Sequence, residues 1–332
     1  MPSREGEHKT LNGDRNQGGT ECALGALGPS EVICASRFTF YDPFSELPIS
    51  PPPPTVAPVS VQLTILASGS SGNCAYLEAD DTRLLIDAGL SARQIRQRLL
   101  GIGRTPEKLS GILITHEHSD HVQGLGVLAA KLQIPIFCNR LTKEAIALLF
   151  QARFDFRLFS TGASFAVGDV LVDTFSVPHD AYDPVGFLVR TTAGNIGFLT
   201  DLGHATKLVV ERVRPAHALV LEANHDLKLL QDDTKRPWSV KQRILSRHGH
   251  LSNEAAAAVA EQIVSADLRH LYLGHLSGDC NRPELAHRVV SGSLLKLGAT
   301  HVRVEATAPN VPCATLTLSP GSNIPETRAH PS

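Results

Sequence analysis

Apolar residues in this chain come in short runs separated by polar turns, and the runs begin at Val61. Val61-Gln62-Leu63-Thr64-Ile65-Leu66 has the pattern of a short strand. After the small-residue loop Ser68-Gly69-Ser70-Ser71-Gly72-Asn73, the runs at 74–77 and 83–86 predict a hairpin. Further strands are predicted at 111–115, 135–138, 156–159, 164–167, 170–177, 185–190, 195–199, 217–222 and 269–274, with a terminal strand pair at 301–306 and 313–318. Helical periodicity appears at 92–100 behind a Ser91 cap, and at 121–132, 142–150, 205–213, 238–247, 253–265 and 283–297. Two successive strand-rich stretches, each with helices after it, predict an α/β fold with two sheets face to face and helices outside.

The two ends break this pattern. Residues 1–58 are rich in Gly, Ser, Glu and Arg and run into Pro51-Pro52-Pro53-Pro54. Such a segment buries too little apolar surface to offset its ordering entropy, so a disordered extension is expected, and a translation start near Val59 fits equally. Residues 321–332 read as a similar tail, which leaves 59–320 as one domain. The net charge of −2 argues neither for nor against a nucleic-acid partner. Six scattered cysteines without a C-x-x-C pair predict reduced thiols in a cytoplasmic protein. No apolar stretch approaches the roughly 18 residues of a membrane span, and the N-terminus lacks the apolar core of a signal peptide. Oligomeric state is not legible.

The densest chemistry follows the apolar run Gly111-Ile112-Leu113-Ile114. His116-Glu117-His118-Ser119-Asp120-His121 packs three imidazoles and two carboxylates into six positions. Alternation sends His116 and His118 the same way from a strand end, and Asp120 is expected to cap the helix that begins there. This grouping predicts a site for two neighbouring metal ions. Four more residues fall where predicted strands end: Asp87, His179, Asp201 and His275. Imidazoles and carboxylates without cysteine suit Zn²⁺, with Mn²⁺ or Fe²⁺ as alternatives.

The ordered set Asp87, His116-x-His118-x-Asp120-His121, His179, Asp201, His275 resembles the metallo-β-lactamase superfamily over about residues 61–318. Five finer motifs resemble its YycJ (WalJ)-like bacterial branch, which is similar to tRNase Z and to the cyclic phosphodiesterase of phosphonate breakdown. They are Ser68–Asn73, Pro178–Gly186, Glu222–Asp226, Gly249–Asn253 and His275-Leu276-Ser277. The resemblance implies a four-layer αβ/βα sandwich. It implies that His116, His118 and His179 hold one ion, that Asp120, His121 and His275 hold the other, and that Asp201 bridges them. Asp87 then orients a ligand histidine without touching metal. Hydrolysis would proceed by attack of a metal-bridging hydroxide on a phosphodiester, with Asp120 at the centre. His250, paired with Glu222, would protonate the leaving group. A plain alternative for His250 is a residue beside the Ser252 or Asn253 helix cap.

The implied activity is a nuclease, DNA exonuclease foremost, because the long exosite arm of tRNase Z is not evident between Ile134 and Val177. Hydrolysis of a small cyclic phosphate or other small ester is the second reading, and a non-catalytic metal-binding regulatory module the third. Lys235, Arg236 and Trp238 lie in a basic stretch that suits a phosphate backbone and a stacked base, or simply a solvated helix face. Ser70 and Asn73 can present a phosphate-binding loop or merely pack against the rim. His225 either lines the pocket or ends a strand.

Overall fold

The computed structural model describes residues 60–320, so the predicted extension and tail lie outside the described residues. The first sheet is built from β1 (Val61–Ala67), β2 (Cys74–Ala79), β3 (Thr82–Ile86), β4 (Gly111–Leu113), β5 (Ile136–Cys138) and β6 (Phe156–Leu158). The second holds β7 (Ser164–Val167), β8 (Val170–Ser176), β9 (Val185–Thr191), β10 (Gly194–Leu199), β11 (Ala218–Glu222), β12 (His270–Gly274) and β13 (Arg303–Ala306). A last strand, β14 (Leu316–Leu318), returns to the first sheet, giving the orders β14-β1-β2-β3-β4-β5-β6 and β13-β12-β11-β10-β9-β8-β7. Each sheet joins an antiparallel half to a parallel half, with β3 to β6 and β10 to β13 parallel.

Strand alternation produces three apolar cores, and three cores require four layers. On β3, Leu84 and Ile86 face the core between the sheets, where they join Leu77, Phe187 and Val220. Leu85 faces the other way, into a second core with Ile95, Leu99 and Ile112. This core is covered by α1 (Ala92–Gly101), α2 (Ser119–Val122), α3 (Leu125–Leu132) and α4 (Arg140–Leu149). The third core backs the second sheet, with Leu219 and Leu221 against Val209, Ala260 and Val290. Its cover comes from α5 (Lys207–Val213), α8 (Asn253–Ile263) and α9 (Pro283–Lys296), while the short helices α6 (Leu227–Asp232) and α7 (Trp238–Ile244) between them contribute no residue to it. Among the described residues no helix is long and apolar enough to cross a membrane.

Three local expectations are corrected. The single helix expected at 121–132 is split into α2 and α3. At the break, Gly124 donates to the Ala88 carbonyl at 2.8 Å, and a Cβ there would stand 2.5 Å from the Leu90 carbonyl. The expected terminal strand pair does not form: β13 pairs with β12 and β14 with β1, so each closes an edge of a different sheet. The short helix α6 is absent from the sequence reading, although the Asp226 carboxylate caps it by accepting from Leu229 N.

Candidate metal centre

The candidate residues gather at the carboxyl ends of the parallel strands, where open α/β sheets leave a crevice. Asp87 follows β3, Asp201 follows β10 and His275 follows β12, with φ of 59°, 58° and 55°. Non-glycine residues rarely adopt this left-handed conformation, and its cost of about 1–3 kcal/mol is tolerated where surrounding contacts enforce it. The enforcing contacts are visible. Asp87 Oδ1 accepts from Thr115 N at 2.9 Å and Oδ2 accepts from His121 Nδ1 at 2.8 Å. Asn224 Nδ2 donates to the His275 carbonyl at 2.9 Å, and His275 N donates to Ser68 Oγ at 2.8 Å.

Four groups of side chains bring candidate ligand atoms within 4.8 Å of one another. His116, His118 and His179 form one; Asp120, His121 and His275 form another. Asp201 occurs in two, with His116 and His121, and with Glu222, His250 and His275. His118 Nδ1 and His179 Nε2 face each other at 3.3 Å, and His121 Nε2 stands 3.2 Å from Asp201 Oδ2. The outer nitrogens are occupied elsewhere: His116 Nδ1 meets Thr115 Oγ1 at 3.0 Å and His179 Nδ1 meets the Gly249 carbonyl at 3.1 Å. His116 Nε2 and Asp201 Oδ2 are buried without a hydrogen-bond partner. Buried polar atoms are almost always satisfied, so two orphaned lone pairs among converging nitrogens and oxygens fit divalent cations. The fold and these donors imply bound divalent metal.

The imidazoles fall into two sets: against burial, Asp201 and neighbouring carboxylates raise His121 and His275 well above their ordinary pKa, so a bound cation would displace their protons, while His116 and His179 are shifted the other way. Burial, reinforced by the neighbouring imidazole of His121, pushes His116 well below its ordinary pKa, and burial also lowers His179. Both are therefore held neutral, as ligation requires. Burial would raise the Asp201 carboxyl, but His275 and His121 hold it well below the carboxylate range. Asp120 is also pulled down, against burial, by His121 and His275. Asp120 is not a cap: His118 occupies the N-cap position of α2, and Asp120 sits in its first turn with its carboxylate 3.2 Å from His275 Nε2.

Beside these groups lies Glu222, fully buried at the end of β11. Its Oε2 accepts from Leu202 N at 3.0 Å and from Leu251 N at 3.1 Å. Its Oε1 lies 2.8 Å from His250 Nδ1 and 2.7 Å from His275 Nδ1. Glu222 is held down to about 2, against burial, by His250 and His275. Burial would lower the His250 pKa, but the Glu222 carboxylate overrides it and raises it. Ser252 is the helix cap, accepting from Ala255 N, so capping and the His250–Glu222 pair coexist.

The Ser68–Asn73 loop braces the ligands. The buried Asn73 side chain accepts from Ser68 Oγ and Gly69 N, both at 3.0 Å, and its amide nitrogen reaches His121 Nε2 at 3.1 Å. Asn73 N donates to the Asp120 carbonyl at 2.8 Å. A Cβ on Gly89 would stand 1.6 Å from that same carbonyl, so glycine is required there. Ser70 is exposed and lines a cavity of about 320 Å³ with Ser71, Ser119 and the candidate ligand Asp120.

The remaining candidates stand apart from the ligand groups. Lys235 and Arg236 are paired with Asp279, and Arg236 also with Asp233, so acidic partners neutralise much of the expected basic patch. Trp238 is exposed at the start of α7. His225 is buried, both ring nitrogens lack a partner, and burial pushes its pKa down to about 4. The sequence reading missed Thr115, whose hydroxyl meets Asp87, His116 and His121. It also missed Asn224 and the role of Glu117, whose carboxylate accepts from Tyr182 N at 2.9 Å. A polar residue flanking H-x-H was the only available signal.

Two layers of parallel strand ends enclosing such a centre define a class, and residues 82–275 match the family described as the beta-lactamase superfamily domain. Over 245 residues the chain is 38% identical to exodeoxyribonuclease YycJ of Bacillus anthracis, covering 72% of this chain and 91% of that one. It is 39% identical over 240 residues to exodeoxyribonuclease WalJ of Streptococcus pneumoniae, covering 71% and 89%. The metallo-beta-lactamase fold protein YhfI from Bacillus subtilis matches with a TM-score of 0.60 over 78% of this chain and 99% of that one, at 14% identity, a likeness of fold alone. The chain belongs to the YycJ and WalJ family of the beta-lactamase superfamily.

Proposed function

We propose that the protein is a metal-dependent hydrolase of DNA phosphodiester bonds, an exonuclease acting through two divalent ions, Zn²⁺ foremost and Mn²⁺ or Fe²⁺ as alternatives. The observation that carries this is the His250–Glu222 pair beside the converging His and Asp donors. His116, His118 and His179 would hold one ion, Asp120, His121 and His275 the other, and Asp201 both. When bound, such ions supply a nucleophile from water at neutral pH and neutralise charge on the attacked phosphodiester.

The protein's own residues do the rest. Asp87 and Thr115 hold the His121 ring so that Nε2 faces the centre. Glu222 accepts the Nδ1 proton of His250 and stabilises its charged form, which leaves Nε2–H to protonate the departing oxygen. The identity to YycJ and WalJ favours DNA as the substrate. The four free cysteines of the described residues fit a reducing compartment, the cytoplasm.

The test is a panel of end-labelled duplex DNA, single-stranded DNA, precursor tRNA and a small cyclic phosphodiester, run after metal loading and after chelation. Stepwise, metal-dependent loss of terminal nucleotides from DNA is expected. Turnover of the cyclic phosphodiester alone would overturn the nuclease reading.

A further inference from the structure

A cavity of about 400 Å³ adjoins the candidate metal centre, with His179 in its wall. Pro178, Pro184, Leu208, His248 and Tyr182 are among its other lining residues. Tyr182 is 69% exposed and Leu208 53%. Large apolar groups exposed together beside a polar centre mark a binding surface.

The loop that carries Tyr182 joins β8 to β9 and is pinned at each step. Val177 N donates to the Pro184 carbonyl at 3.0 Å, closing the loop on itself. Asp180 N donates to the His248 carbonyl at 3.1 Å, and the Asp180 carboxylate pairs with Arg243. Thr161 Oγ1 donates to Asp183 Oδ2 and Asn139 Nδ2 to the Asp183 carbonyl, both at 2.7 Å. Tyr182 N donates to Glu117, the residue between His116 and His118. The backbone of Tyr182 is thereby tied to the metal-binding segment while its ring is left in solvent. An aromatic ring on a preorganised loop loses little entropy when something stacks on it.

The geometry points to this cavity as the seat of a nucleobase of the bound DNA strand, with the Tyr182 ring as its stacking platform. The inference rests on the nuclease reading above. A planar base fits a cavity of this size: Pro178, Pro184, Leu208 and Tyr182 offer it apolar faces, and Thr206 and His248 offer polar groups at the wall. Stacking of this kind tolerates any base, as a nuclease that degrades arbitrary sequence requires. Trp238, the aromatic singled out from the sequence, does not line this cavity.

The test compares two single-stranded oligomers of equal length: oligothymidylate, and the same phosphodiester backbone with abasic residues throughout. Binding to the metal-loaded full chain is read by fluorescence anisotropy on oligomers with phosphorothioate linkages, which resist cleavage, and turnover is read on the unmodified oligomers. Wild type is expected to bind oligothymidylate more tightly than the abasic oligomer. Tyr182→Ala should lose about 5- to 150-fold of that preference, while Tyr182→Phe and Tyr182→Trp retain it. Leu208→Trp, which fills the cavity from α5, should lower the preference with Tyr182 intact. Equal binding of both oligomers by wild type, or an unchanged preference in a folded Tyr182→Ala, overturns the inference. Base-dependent binding with no cleavage of any DNA would sink the nuclease reading and leave the cavity a base-binding site.

Discussion

Oε1 of Glu222 lies 2.7 Å from Nδ1 of His275, as near as it lies to the His250 ring at 2.8 Å. One buried carboxylate oxygen therefore serves a candidate ligand and the candidate proton donor together. The sequence placed Glu222 beside His250, and the fold adds the His275 imidazole to the same oxygen.

Glu222→Gln should consequently damage both functions. A glutamine amide must turn its NH₂ toward either the two imidazole nitrogens or the Leu202 and Leu251 amides, and each pair consists of donors. We expect a stability loss of about 3 kcal/mol and weaker metal binding, read by thermal melting and by competition with a chromophoric chelator. A variant that kept full metal affinity would limit Glu222 to the His250 role.

His250→Ala should keep its metal and lose turnover. The loss should reach about 10²–10⁴-fold on DNA, whose leaving oxygen needs a proton, and be far smaller on an activated aryl phosphodiester. Equal losses on both substrates would contradict the acid role.

Asp201→Ala should lose more metal than His118→Ala or Asp120→Ala, because Asp201 converges with His116 of one set and with His121 and His275 of the other, whereas His118 and Asp120 each meet the ligands of one set. Elemental analysis after loading should give two ions per wild-type chain. One ion or fewer would contradict the paired centre.

Asp87→Asn tests an orienting carboxylate without disturbing the backbone, since asparagine tolerates the left-handed conformation at φ 59°. The amide can satisfy Thr115 N or His121 Nδ1, not both. Metal affinity should fall about 10- to 100-fold with the fold intact by circular dichroism. Unaltered affinity would remove Asp87 from the scheme.

Away from the centre, Glu78 gives a pH-dependent expectation. Burial would raise its pKa, but hydrogen bonds from Arg104 and Tyr76 and the charge of Arg83 lower it. A carboxyl depressed in the folded state stabilises above its unfolded pKa of about 4.3, and that stability is lost as pH falls through the folded value. Glu78→Gln should therefore cost about 1–2 kcal/mol at pH 7 and progressively less below about pH 4, measured by urea unfolding. A cost independent of pH would mean that shape, not charge, is lost.

The sequence by itself determined what short-range physics encodes. Strand and helix periods placed nearly every element, because alternation and the 3.6-residue repeat are local consequences of which face meets a core. The H-x-H-x-D-H run and the lone ligands at strand ends were legible for the same reason: strand ends are local features, and imidazole and carboxylate are the required donors. Tertiary structure decided everything that depends on which distant segments meet. The terminal strands, similar in pattern, were separated by the edges left open on two different sheets. Lys235 and Arg236 found Asp279 across more than forty residues, which sets an acidic partner beside the cations that the sequence read as a phosphate patch or a solvated face. Asn73, legible either as part of a phosphate-binding loop or as packing at the rim, forms a brace between Ser68 and His121. Glu222 acquired its second imidazole, and Tyr182 its anchor on Glu117, through contacts 53 and 65 residues apart in the chain. Such pairings are selected by the packing of whole sheets, and no pattern within a single segment carries them.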